Sequence, residues 1–225
     1  MAVLVGPDEA NLSGHFAIKR HGVLYSWGPA MTNQPDTMSL ERAVYGRRSV
    51  RTYAPGRIDD DVLSFLLDAA VQAPTAIHQE PWRFVIVQSE HRLKQLSERA
   101  KELFAPEVER LHHAHGQAGD NPFAQPEFDV FYGAGTLIVI CAPSAAPFAE
   151  ADCWLAAQNL MLTAYAMGLG TCVIGSAAQA LNEPSFKDSL GIPTEYTAIA
   201  PLIVGFPKGE TAPQTRHRPA ILSRW

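Results

Sequence analysis

Apolar residues recur at two different spacings along this chain, and the switches between them predict alternating helices and strands. Val62, Leu63, Leu66, Leu67 and Ala70 share one helical face behind Asp59-Asp60-Asp61, whose charges suit a helix N-terminus, and Pro74 lies beyond the last turn. Phe84-Val85-Ile86-Val87 and Leu137-Ile138-Val139-Ile140-Cys141 are short unbroken apolar runs of the kind that form buried strands. Between them, Leu93, Leu96 and Ala100 make one apolar stripe on an otherwise charged segment, which predicts an amphipathic surface helix over 90–104.

Positions 150–167 are apolar on almost every side, are interrupted by Asp152, Gln158 and Asn159, and end at Gly168-Leu169-Gly170. That pattern predicts a buried helix with a glycine stop rather than a membrane span. A short strand over 172–174, a helix over 183–190 and a strand over 199–204 follow. Ser39 is a suitable N-cap for a short helix that runs into the arginines at 47 and 48. The stretch 111–126, rich in His, Gly and Pro, predicts a long loop or broken helical excursion that covers a site. Residues 1–37 show no sustained periodicity, so they read as a loosely structured extension, with Met31 an alternative start and one domain over 38–225. Too few strands are joined by crossovers to require a parallel sheet, and a mixed sheet with helices on both faces is expected.

Composition narrows the function without naming it. A chain of 225 residues, 47% hydrophobic and 18% charged, is that of a globular protein with one sizeable core. Its net charge of -5 argues against nucleic acid as the main partner. Cys141, Cys153 and Cys172 are odd in number and set among apolar residues, which fits buried thiols in a reducing, cytoplasmic setting. The first residues carry no basic, signal-like segment, so neither export nor membrane insertion is expected.

Against this acidic background, Gly46-Arg47-Arg48-Ser49-Val50-Arg51 places three guanidiniums and a hydroxyl in six residues. Guanidinium forks match phosphate oxygens, so an anion is expected there. An isolated cluster of this kind is also explained as a basic helix end. Two further segments stand beside it: Ala73-Pro74-Thr75-Ala76-Ile77-His78-Gln79-Glu80-Pro81-Trp82, and Arg216-His217-Arg218 near the end of the chain.

Together these segments resemble the nitroreductase family of flavin enzymes. The resemblance continues through Tyr132-Gly133-Ala134-Gly135-Thr136, Ala157-Gln158-Asn159-Leu160, Gly168-Leu169-Gly170-Thr171-Cys172-Val173-Ile174-Gly175 and Val204-Gly205-Phe206-Pro207, and so covers about 39–219. It implies an α+β fold with a mixed, largely antiparallel central sheet in a three-layer α-β-α arrangement. It also implies FMN as cofactor, NADH or NADPH as hydride donor, and a homodimer with FMN at the subunit interface and the apolar helix at the dimer core. By resemblance, Arg47, Arg48, Ser49, Arg216 and Arg218 grip the phosphate, and Arg51 supplies positive charge near the flavin N1/C2 edge. Pro74, Thr75, Ala76, His78 and Glu80 would pass along the ring, with Val173, Ile174 and Gly175 approaching it closely.

The expected acceptor is a small molecule: a nitroaromatic, a quinone or another conjugated compound. Two features depart from the family pattern, because His78 and Glu80 stand where an Asn and a Gln are usual. An ionised carboxylate only accepts hydrogen bonds, whereas an amide both donates and accepts, so specialised flavin chemistry such as reductive dehalogenation stays open. A flavin-binding carrier or sensor is the alternative outside enzymes. His78-Gln79-Glu80 also matches a piece of a zinc-deaminase signature, but the Pro-Cys-x-x-Cys that completes it does not occur, and no metal site is expected. Neither a dinucleotide fingerprint nor a Walker A sequence is present, since position 173 is Val.

Overall fold

A computed structural model describes residues 16–20, 23–27, 38–114 and 120–225, and divides the chain into two compact units, Met1–Met38 and Ser39–Trp225. In the first unit β1 (Phe16–Arg20) pairs antiparallel with β2 (Val23–Trp27), Phe16 opposite Trp27 and Arg20 opposite Val23. Two five-residue strands two residues apart have hairpin spacing, a signal that the surrounding Gly and Pro obscure in the sequence. The rest of 1–37 lies outside the described residues.

In the second unit Ser39 caps α1 (Leu40–Gly46), its hydroxyl accepting from the Arg42 N–H at 3.1 Å. The unit continues through α2 (Asp60–Ala70), β3 (Arg83–Val87), α3 (Glu90–Ala114), β4 (Thr136–Pro143) and α4 (Ala149–Ala166). It then runs through β5 (Gly170–Val173), α5 (Ala178–Leu181), α6 (Pro184–Leu190) and β6 (Tyr196–Gly205). The sheet order is β3-β4-β6-β5, and each of these pairings is antiparallel. A parallel bridge from Ser49 to Thr171 on the outer edge of β5 makes the sheet mixed.

Alternation along β4 explains the layers, because successive side chains leave opposite faces of a strand. Leu137, Val139 and Cys141 join Leu93, Leu96 and Ala100 of α3 and Leu181 of α5 in one core. Ile138, Ile140 and Ala142 join Val62, Leu66 and Ala70 of α2 and Ala156, Leu160 and Ala164 of α4 in the other. The result is the three-layer α-β-α arrangement. A register shift between Ile140 and Cys141 leaves Ile199 of β6 unpaired, two residues before Pro201, which has no N–H to give the ladder.

Of the two alternatives for 111–126, the described residues follow the broken helical excursion. Residues 111–114 complete α3, which passes through Pro106, and Pro122–Ala124 form a 3-10 turn. Proline removes a backbone donor, but tertiary ties keep the helix in place. The Lys101 ammonium donates to the Pro126 carbonyl at 2.7 Å, the Asn121 amide to the Ala105 carbonyl at 3.1 Å, and the Phe104 and Phe123 rings lie 4.9 Å apart. Residues 115–119, with His115, lie outside the described residues.

Gly135 offers a clean test of close packing. A Cβ there would press on the Gly56 carbonyl oxygen and lie 2.7 Å from its carbon and 3.0 Å from the Arg57 nitrogen, all backbone atoms that cannot swing away. Gly135→Ala is expected to destabilise the protein by roughly 1–3 kcal/mol. At Gly175 a Cβ would meet nothing within 4 Å, and Gly175→Ala is expected to be nearly neutral. Denaturant unfolding of both variants without added ligand checks the contrast.

Candidate functional site

The arginine motif is fixed to the sheet by its one apolar member. Val50 is buried, its N–H donates to the Thr171 carbonyl at 3.0 Å, and its side chain lies where a Cβ on Gly170 would be, 2.8 Å away. Gly170 therefore has no room for a side chain, and the close approach seats the motif on the edge of β5. Gly46 has a matching function at the end of α1, since a Cβ there would collide with the Tyr165 ring of α4.

Seated this way, the arginines do different jobs. Arg48 turns back on the end of α1, its Nη1 donating to the carbonyls of Tyr45 at 2.7 Å and Arg47 at 2.8 Å. Those two bonds are the ordinary helix-end role, yet its Nε is buried with no hydrogen-bond partner. Arg47 is half-buried, and its pKa is held below the usual guanidinium value by burial first and then by the charges of Arg216 and Arg48. Its ordinary value lies so far above neutrality that it stays charged. The beginning and the end of the domain are thus brought together as like charges.

Among the described residues, ion pairs involve α3 and α6, as in Arg99 with Glu183 at 2.6 Å, and none involves Arg47, Arg48, Arg51 or Arg216. Cations held together without a carboxylate form a natural anion site. Arg218, two residues beyond Arg216, is exposed.

Ser49 and Arg51 act on Cys172, whose thiol donates to the Val173 carbonyl at 3.5 Å, and Arg51 acts on Tyr132. Burial raises the Cys172 thiol above its ordinary pKa, while Arg51, Ser49 and Arg47 pull it back down. Burial likewise raises the Tyr132 phenol, and Arg51 opposes the shift. Tyr132 holds a left-handed backbone, φ 54°. Both residues fall in segments that carry the family resemblance, but a lone Cys and a lone Tyr carry no spacing signal that would assign them a role at the site. Burial also lifts the Cys141 thiol to about 11 and the Cys153 thiol to about 12, which keeps both protonated and inert at neutral pH.

The 74–82 strip is exposed over His78, Gln79 and Glu80 and closes on buried Trp82. Ile77, His78 and Glu80 are left-handed at φ 49°, 54° and 45°, conformations that L side chains disfavour and that gather at functional sites. The Ala76 N–H donates to Asp152 Oδ1 at 3.1 Å. Val173 ends β5, the Ile174 N–H donates to the Pro201 carbonyl at 2.9 Å, and Gly175 faces open space at the head of a 3-10 turn. A separate groove lined by His91, Lys94, Glu98 and Phe186 contains none of these residues.

The structure thus joins a three-layer α+β scaffold to a cationic edge without described ion pairs and an exposed strip of left-handed residues. The chain belongs to the nitroreductase family, whose profile matches residues 44–206. It is 28% identical over 174 residues to a protein of Archaeoglobus fulgidus provisionally named NADH dehydrogenase/NAD(P)H nitroreductase, covering 75% of this chain and 86% of the relative. It is 25% identical over 171 residues to an iodotyrosine deiodinase of Thermotoga neapolitana, covering 72% and 84%. The crystal structure of a nitroreductase with bound FMN from Bacteroides fragilis superposes with a TM-score of 0.69 at 24% identity, covering 83% of this chain and 98% of that one.

The cationic edge makes its own prediction. Inorganic phosphate should raise the melting temperature of the ligand-free protein, by linkage with roughly 1.4 kcal/mol for a tenfold excess over its Kd. Arg47→Ala should lose most of that increment. An equal response in both proteins would show that Arg47 does not meet the anion.

Proposed function

We propose that this chain is an FMN-dependent oxidoreductase that takes hydride from NADH or NADPH and delivers it to a nitroaromatic, quinone or similar conjugated acceptor. Donor and acceptor occupy one cleft in turn. The observation that carries this reading is Arg48 Nε, buried without a partner next to half-buried Arg47, whose pKa the Arg216 charge lowers, a donor set suited to a phosphomonoester. FMN supplies the hydride-transfer chemistry when bound. Arg47, Arg48, Ser49 and Arg216, with Arg218 close by in sequence, would hold its phosphate. Arg51 would place positive charge where the reduced ring gathers electron density. Pro74, Thr75, Ala76, His78 and Glu80 would border the ring on one side, and Val173, Ile174 and Gly175 on the other.

We extend the proposal to a homodimer. On α4, Tyr165 lies against Gly46 and Asp152 holds Ala76, thirteen residues apart. At 1.5 Å per residue that is about 20 Å, a wide span for one flavin and its ribityl chain. A second copy brings its strip to the first copy's arginines. Leu40, Val44 and Tyr45 of α1, Trp154 and Leu155 of α4, and Ile221, Leu222 and Trp225 supply exposed apolar surface for such a contact. Three free, buried thiols support a reducing, cytoplasmic setting. Among the described residues no helix is long and apolar enough to cross a membrane.

Reductive dehalogenation is the second reading, favoured by the Thermotoga relative and by His78 and Glu80 at the strip. Purified protein should be yellow, bleach anaerobically with NADH or NADPH, and recover colour on adding a nitroaromatic or quinone. Bound flavin that neither nicotinamide reduces would instead mark a carrier. Iodide release from 3-iodotyrosine, with nitroaromatics inert, would select the second reading. Glu80→Gln should raise the flavin midpoint potential by about 10–30 mV, since it removes a nearby negative charge. An unchanged potential would show Glu80 turned away from the ring. Light scattering after size exclusion should give twice the chain mass, and a flavin-loaded monomer would refute the shared site.

A further inference from the structure

The left-handed strip has an unusual support. Ile77, His78 and Glu80 all lie at positive φ, and Ile77 is β-branched, so the conformation is not one the segment would keep unaided. Core packing does not hold it either, because Ile77 is 71% exposed and His78 and Glu80 are exposed as well. On its far side the strip closes on buried Trp82, with Arg83 Nη1 donating to the carbonyls of Trp82 at 2.7 Å and Glu80 at 3.3 Å. On its near side a distant residue holds it: Oδ1 of Asp152 accepts from the N–H of Ala76, immediately before the first left-handed residue.

Asp152 is a poor core filler. It is 3% exposed in the first turn of α4, its Oδ2 is buried without a hydrogen-bond partner, and no described ion pair includes it. A buried carboxylate needs donors for both oxygens to offset lost hydration, and Ala or Leu would fill the space without that cost. The oxygen that is used points to its role. We propose that Asp152 is a positioning residue whose carboxylate sets the 74–82 strip in its left-handed form, presenting one rigid, preset surface to the ligand. The proposal rests on the reading of that strip as the flavin-facing surface. The hydrogen bond itself does not.

Acceptance at Ala76 requires an oxygen, not a charge, and this separates two variants. Asp152→Asn keeps a carbonyl for the Ala76 N–H and removes the buried charge, whereas Asp152→Ala leaves that N–H without its acceptor. The first readout is hydrogen exchange of a peptide spanning 74–82 without FMN. The second is FMN affinity together with the visible circular dichroism of the bound flavin. Asp152→Ala should speed exchange about tenfold, weaken FMN about tenfold and change the visible spectrum, while Asp152→Asn stays within about threefold of the parent on each.

Unchanged exchange and an unchanged flavin spectrum in Asp152→Ala would overturn the proposal, as would an Asp152→Asn protein as impaired as Asp152→Ala. If Asp152→Ala does not fold, Asp152→Asn decides: parent-like exchange supports the acceptor role and faster exchange overturns it. A parent protein that takes up no FMN would defeat the flavin reading alone and leave the exchange comparison standing.

Discussion

The seating of Val50 on the edge of β5 governs the candidate site. One backbone hydrogen bond to Thr171 and one close contact over Gly170 fix the register of the whole Arg-Arg-Ser-Val-Arg run. Side chains along an extended segment alternate in direction, so burying Val50 leaves Ser49 half-buried and Arg51 exposed. A shift by one residue would bury Ser49 or Arg51 in the core and turn Val50 to solvent. The apolar member of the motif therefore decides what the polar members can do, and a glycine on the neighbouring strand decides whether that member fits.

Helix α4 carries the second half of the arrangement. Its alanines at 156, 157 and 164 let it lie close on the sheet, and Asn159 ties it to α2 through the Ala69 carbonyl at 3.3 Å. With its middle fixed, its ends become reference points: Tyr165 under the start of the arginine motif and Asp152 under the strip. Two segments far apart in sequence are thus referred to one rigid rod, an arrangement that would suit the proposed site, which must meet a planar group with little freedom.

Much of this was legible in the sequence because it rests on period and punctuation. The apolar face at 62, 66 and 70, the unbroken run at 137–141 and the glycine stop after 167 each became the element their spacing predicts. The failures have physical causes. The helix expected over 90–104 runs on to Ala114 because Lys101, Asn121 and the Phe104–Phe123 contact hold α3 through Pro106, and such long-range ties leave no periodic trace. The hairpin at 16–27 is short and lies among turn formers. Within the site, the arginines were visible as charge density, whereas the division between Arg48, bonded to its own helix end, and Arg47, facing Arg216, depends on backbone direction that composition does not encode. Asp152 was visible only as an interruption in an apolar helix, and its role depends on the partner that the fold brings to it.

The candidate site is costly in a consistent way. Arg47 and Arg216 repel, Arg48 Nε and Thr171 Oγ1 are buried without partners, and the strip holds three left-handed residues. Packing keeps the Arg48 and Thr171 atoms from reaching water, whereas the exposed strip is held by its hydrogen bonds with Asp152 and Arg83. Such concentrated violations of the rules the core obeys are expected where a protein has been shaped for a ligand. An anion at the arginines would convert repulsion into attraction without moving the backbone, because the site is already placed for it. Stability and binding are then coupled: the free energy these features withhold from folding reappears as affinity, and ligation should stabilise the domain by more than its contacts alone would suggest.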